Sequence, residues 1–177
     1  MNPPFAAVAQ TWHDFYLTAG AASATLVGLL FVGMSINLET VTAEEGTGLR
    51  LLAEQAFSNF VFVLLIALFV MIPSQDAESM TVELVIVGAF GILRVARRWS
   101  ALGRRGDRYL GGRYLLRRLG LPALASVGLV VVGIGFPADP LSAFFFLLGL
   151  VLLFLMSAAD TCWDLLVEVG RARRRAA

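Results

Sequence analysis

The sequence predicts an all-α protein, a polytopic transmembrane helical bundle of five spans with its N-terminus outside and its C-terminus in the cytoplasm. Three observations carry that prediction. First, the 177 residues are 58% hydrophobic and only 15% charged, where a soluble domain carries about a quarter charged residues. Second, long uncharged apolar runs recur along the chain, beginning with Phe15 to Ile36. Third, all 14 basic residues are arginines, and they gather in three places: Arg50, nine between Arg94 and Arg118, and four between Arg171 and Arg175. Five spans put these three places on one side of the membrane, and the positive-inside rule makes that side cytoplasmic.

The first predicted span covers about residues 15–38 and organises the rest. A run of 22 residues extends about 33 Å as a helix, enough for a hydrocarbon core about 30 Å thick. Asn2 before Pro3 and Pro4 reads as a helix start, with Asn at the cap and proline in the first turn. Trp12 and Tyr16 suit the headgroup level. Gly20, Ala24 and Gly28 are spaced four apart, so they share a face on which another helix backbone can approach. Thr18, Thr25 and Ser35 lie near a second face. That polar stripe reads either as hydroxyls bonded back to their own helix or as the lining of a wet path.

A polar loop, VTAEEGTGLR, leads to the second span at about 49–72, which starts amphipathic (Arg50, Glu54, Gln55, then Ser58 and Asn59) and ends at Pro73. After the acidic loop PSQDAES comes the third span, about 77–99, bracketed by Glu83 and Arg94. Ten residues separate these charges, so their Cα atoms stand about 16 Å apart along a helix, well short of the hydrocarbon thickness. A buried Glu83, and a third span enclosed by other helices or facing a wet cavity, are the expected answer. The arginine-rich stretch then holds Gly103, Gly106, Gly111 and Gly112, which read as a turn. The fourth span, about 115–136, should kink near Gly120 and Pro122. PADP turns the chain into the fifth span, about 141–168, and the tail RARRRAA follows. Ser157, Asp160, Thr161, Asp164 and Glu168 fall on one face of that last span, and Arg94 is expected to meet Asp160 and Asp164 in an inner polar cluster.

The chain reads as a single transmembrane domain over residues 1–177. The first 49 residues hold no Lys or Arg, so a cleaved signal peptide is not expected. One histidine, His13, and one cysteine, Cys162, are too few for a histidine zinc site or an internal disulfide. HExxH, GxSxG and Walker A patterns are missing, so neither catalysis nor a cofactor is expected. The arginine-rich face should attract anionic membrane lipids; without a recognition fold it does not point to nucleic acid. Arginine in place of lysine throughout suits a GC-rich bacterial genome, and hence an inner (plasma) membrane.

Trp12, Phe15, Ala19 to Ala21, Gly28 to Val32 and Ser35 to Leu38 form a pattern that resembles a group of small actinobacterial multipass integral membrane proteins. The resemblance implies the same multipass architecture and brings no activity with it. The expected role is therefore a non-enzymatic membrane protein acting by assembly, as a homo-oligomer or an accessory subunit of a membrane complex. The alternative is an oligomeric ion channel lined by the first span.

Overall fold

The computed structural model describes residues 5–38, 47–105 and 112–176, and all its regular structure is helical. Five helices follow in order: α1 (Phe5–Ile36), α2 (Thr47–Val70), α3 (Ala77–Arg105), α4 (Gly112–Gly135) and α5 (Pro140–Ala176). Four of them, α1, α2, α3 and α5, are long and apolar enough to cross a membrane by length and composition. In α4 the apolar stretch among the described residues is shorter, Gly120–Gly135.

The turns follow from local chemistry. Proline cannot continue a helix because it lacks an N–H, and α2 gives out just before Pro73, its last carbonyls taken by the N–H groups of Met71 and Ile72. Ser74 then adopts a left-handed φ of 61°. Asp76 caps α3: its carboxylate accepts from the Ser79 N–H at 2.7 Å. The same device opens α5, where Asp139 accepts from the Ser142 hydroxyl at 2.6 Å and Pro140 takes the first helical position. The hydrogen bonds from Ser79 hold the Asp76 carboxyl below the usual carboxylate range, and those from Ser142 do the same for Asp139. Both capped turns lie at the end of the bundle opposite the arginines.

The packing order around the bundle is α3, α4, α5, α2, α1, with lighter contacts between α2 and α3 and between α1 and α5. The core runs through the middle of this arc, with Ile66, Leu129, Phe144, Leu147 and Phe154 fully covered. Near the capped turns an aromatic cluster joins α1 to α5 and to the α4–α5 turn. Phe136 and Phe144 stand 5.2 Å apart, Trp12 meets Phe145 at 5.0 Å, and Tyr16 lies over Phe144 at 6.1 Å. These are favoured tilted and edge-to-face spacings.

The α3–α4 seam is a close backbone contact. A Cβ on Gly88 would stand 2.8 Å from the Ser126 carbonyl oxygen, and one on Gly91 would stand 2.9 Å from the Ser126 Cβ. Only glycine lets these two backbones meet at that distance.

Several elements run longer than the sequence suggests. α1 is continuous from Phe5, so the expected interfacial turns and the first span are one helix. α3 continues to Arg105 and so includes Gly103, and Gly112 begins α4 instead of lying in a turn. A helical glycine flanked by good formers such as Ala101, Leu102 and Arg104 costs only about 1 kcal/mol, which a long helix absorbs. α5 extends through the basic tail to Ala176. The expected Asn2 cap, the loop from Val41 to Gly46, and Gly106 and Gly111 lie outside the described residues.

Candidate functional site

At the arginine end of the bundle, α2 carries Glu54, Gln55, Ser58, Asn59 and Phe62 at helical spacings that place them on one side. Opposite, α3 presents Gly91, Arg94, Val95 and Arg98, and α4 contributes Pro122 and Ser126. Because α2 and α3 touch only lightly, a cleft opens between them, floored by Phe62 and backed by α4. It is narrow, admitting a group about the size of one water molecule. Gly91 makes room for Ser126, whose hydroxyl donates to the Pro122 carbonyl at 2.7 Å.

The polar wall is held by a connected network. Arg94 donates to the Ser58 hydroxyl, and its second terminal nitrogen lies 3.4 Å from the Glu54 carbonyl oxygen. Ser58 in turn donates to that carbonyl at 2.6 Å. The Glu54 carboxylate stands 3.2 Å from Arg50 and 3.6 Å from Arg98. Behind it, buried Asn59 donates to the Ser157 hydroxyl of α5 at 3.0 Å, and Thr161 bonds back to the Ser157 carbonyl at 2.7 Å. The guanidinium groups of Arg50 and Arg98 thus stand at the Glu54 carboxylate, and that of Arg94 at its backbone carbonyl.

The expected inner cluster needs correction. Arg94 is in the cleft, but its partners come from α2, not from Asp160 and Asp164. α3 packs mainly on α4 and lightly on α2, and the groups that accept from Arg94 are on α2. Ser157 and Thr161 turn inward on α5, while Asp160, rotated about 60° from Ser157 on an ideal helix, is exposed, and Asp164 is half-buried. The sequence signal that could have named the true partners was the row Glu54, Gln55, Ser58 and Asn59 within an otherwise apolar helix.

Glu83 is half-buried and accepts from the Gln75 side chain at 2.5 Å. The third span is not enclosed within this chain. Met80, Leu84 and Val87 face the core, while Val82, Ile86 and Phe90 are 55–62% exposed on the opposite side. Its two charges are satisfied by local partners, Gln75 for Glu83 and Ser58 with Glu54 for Arg94, so no enclosure is needed.

On α1 the three residues of the small-residue face part company. Gly20 packs so closely on α2 that a Cβ would stand 2.9 Å from the Ala67 Cβ. Ala24 is exposed, and a Cβ on Gly28 would meet nothing within 4 Å. Thr18, Thr25 and Ser35 are all exposed, and each hydroxyl donates to the carbonyl four residues back at 2.8–2.9 Å. His13 and Asp14 are exposed, 3.8 Å apart. Among the described residues, no group of three or more His, Cys, Asp and Glu side chains is placed to hold a metal ion.

Compared with protein-family models, with curated proteins and with solved structures, the chain matches none.

Proposed function

We propose that this chain is a non-enzymatic integral protein of a bacterial inner (plasma) membrane that works by assembly, as a homo-oligomer or as an accessory subunit of a membrane complex. One observation carries the reading: the second half of α1 is left uncovered. Between Ala21 and Ile36 only Ser23 is buried. Leu29, Phe31, Val32 and Ile36 are 55–71% exposed, which lipid alone would satisfy. Gly28 and Gly33, however, face open space, and glycine in a lipid-facing helix interior gives no packing unless another helix comes close. Ala24 extends the same surface.

The channel alternative has less behind it. Hydroxyls lining a wet path would be used by water, whereas Thr18, Thr25 and Ser35 donate to their own helix. In the proposed arrangement α4 is the fifth crossing, its 24 residues reaching about 36 Å. The N-terminus is outside, and the arginine-rich face meets anionic lipid in the cytoplasmic leaflet.

Native mass measurement of the complex from gentle detergent tests assembly, with crosslinking in the original membrane beside it. A defined homo-oligomer or a partner at fixed stoichiometry is expected; a monomer with no crosslinked neighbour in either experiment rejects the reading. Orientation is tested with single cysteines at Gln75 and Arg105 in a Cys162→Ser background. Only the one at Gln75 should react with an impermeant thiol reagent applied outside.

A further inference from the structure

We propose that the section of α3 beyond Gly91, toward the arginine end, is a hinged strap that an arginine clasp holds closed on α2. Released, the strap bends away from α2 and lets water into the cleft. The inference rests on the chain lying in a membrane, but not on its orientation there or on its assembly.

The first argument is how unevenly α3 is held. Its first half is locked by dry packing, with Met80, Leu84 and Val87 buried. Moving these side chains would open a cavity that nothing fills. Gly88 and Gly91 then press on Ser126 of α4. Beyond Gly91, none of the described side chains of α3 is buried: Arg94, Val95 and Arg98 are half-buried and the others exposed. The helices α2 and α3 touch only lightly, and the bonds that tie this section to α2 are polar. Arg94 donates to the Ser58 hydroxyl and points toward the Glu54 carbonyl, and Arg98 stands 3.6 Å from the Glu54 carboxylate. A polar bond near the membrane boundary exchanges for one to water with little net change in free energy. Arginine stems reach that boundary readily. The closed and open positions of the strap therefore lie close in energy, whereas the first half of α3 has no such second position.

The second argument is that both helices of the α3–α4 hairpin can bend at one level. Gly91 and Pro122 line the same cleft. Pro122, inside α4, removes a backbone hydrogen bond, and the Ser126 hydroxyl bonded back to the Pro122 carbonyl at 2.7 Å favours a bend at the same place. α4 can thus follow α3 instead of restraining it.

The third argument is the lining. Gln55, Asn59 and Ser126 are at most 4% exposed, yet all are polar. A permanently shut seam within a membrane is most stable when apolar. A polar wall instead takes up water once the strap lifts.

The experiment measures distances between pairs of spin labels on the full chain in lipid nanodiscs, with Cys162→Ser throughout. One pair spans the clasp, Leu51 on α2 with Ser100 on α3; the other spans the opposite end, Leu68 with Val82, and all four positions are exposed. Ser100 stands nine residues beyond Gly91, about 14 Å along a helix, so a bend of about 20° carries it through about 5 Å. Arg94→Gln should lengthen the clasp distance by about that much and leave the other unchanged. Ser58→Ala, a milder cut, should shift part of the population the same way. Arg94→Lys, which keeps a cationic donor, should lengthen it less than Arg94→Gln. Arg97→Gln, at an exposed position of α3, should change neither distance. In the Arg94→Gln background, Ser126→Cys should react with a small charged thiol reagent about tenfold faster than with Arg94 in place, the factor for one lost charge-assisted bond. Clasp distances that stay at the wild-type value in both Arg94→Gln and Ser58→Ala overturn the strap, whatever the thiol does. So does lengthening of both pairs together, which is a general loosening of the bundle. Because the labels on α2 and α3 report nothing of α1, a failed strap and a failed assembly give different results.

Discussion

The two halves of α1 are one continuous helix and opposite in surroundings. From Phe5 to Gly20 the helix lies on α2 and α5, with Val8, Tyr16 and Ala19 covered and aromatic rings from α5 and the α4–α5 turn against it. From Ala21 to Ile36 almost every side chain is open. The covered half carries Gln10, His13 and Asp14, while the open half is uncharged and more apolar, so hydropathy alone would have buried the wrong one. In lipid, apolar side chains gain no transfer energy by meeting one another, and packing detail decides which surfaces pair. The covered half has rings that interlock with α5; the open half has glycines and, among the described residues, a single ring contact, Phe31 on Phe57 of α2.

The sharpest way to break this comparison is to cut one ring from each half. Phe144→Ala, at the centre of the aromatic cluster, should lower stability by roughly 2–3 kcal/mol, because the cavity share of the loss survives in a membrane. Phe31→Ala, at a ring 57% exposed, should cost under about 1 kcal/mol. Denaturant titration in mixed micelles measures both, and equal losses would erase the distinction.

A smaller contrast is expected at the two glycines. Gly20→Leu forces a side chain against Ala67 and should destabilise the fold by about 1–3 kcal/mol. Gly28→Leu has open space around it and should leave the fold unchanged within about 0.5 kcal/mol, while lowering the fraction of assembled complex on native mass measurement. Gly28→Leu that leaves assembly intact would show that this face meets lipid only.

Next comes the hydrogen bond from Asn59 to Ser157, which ties α2 to α5. Ser157→Ala should cost about 0.6 kcal/mol, the usual size for such a bond inside a membrane bundle. A larger loss would mark the polar network as cooperative.

The smallest effect belongs to the capped turns. The carboxyls of Asp76 and Asp139 are lowered in the folded state. Their stabilisation is therefore complete above the unfolded carboxylate range and is lost as pH falls through the folded values. The thermal midpoint should fall on acidification from about pH 5 to pH 3, and the Asp76→Asn and Asp139→Asn double variant should flatten that slope.

The five helices were legible because length and apolar runs fix them, and Pro73 and the PADP turn punctuate two of the connections. Partnership was harder to read. A spacing of four puts Gly20, Ala24 and Gly28 on one face, but says nothing of where along that face the neighbour departs. Gly88 and Gly91, three apart on α3, let its backbone meet that of α4, yet their row is broken by bulky neighbours in the sequence. Asp160 and Asp164 looked like partners for Arg94 because opposite charges at similar depth attract. Lateral order is set by packing, and it placed α2 beside Arg94 instead. Enclosure of α3 was inferred from the cost of lone charges, and local hydrogen bonds met that cost more simply.

The length of α5 has a mechanical consequence. Its 37 residues, unbroken from Pro140 to Ala176, make a rod about 55 Å long against a hydrocarbon slab about 30 Å thick. Packed against its neighbours from Ala143 to Thr161, it leaves its last 15 residues, about 22 Å of helix, as a lever arm. Tilting that arm by about 10° would sweep its tip through about 4 Å, while the packed residues barely move. A change in bilayer thickness would thus reach the aqueous side of the membrane as a displacement large enough for a bound neighbour to register.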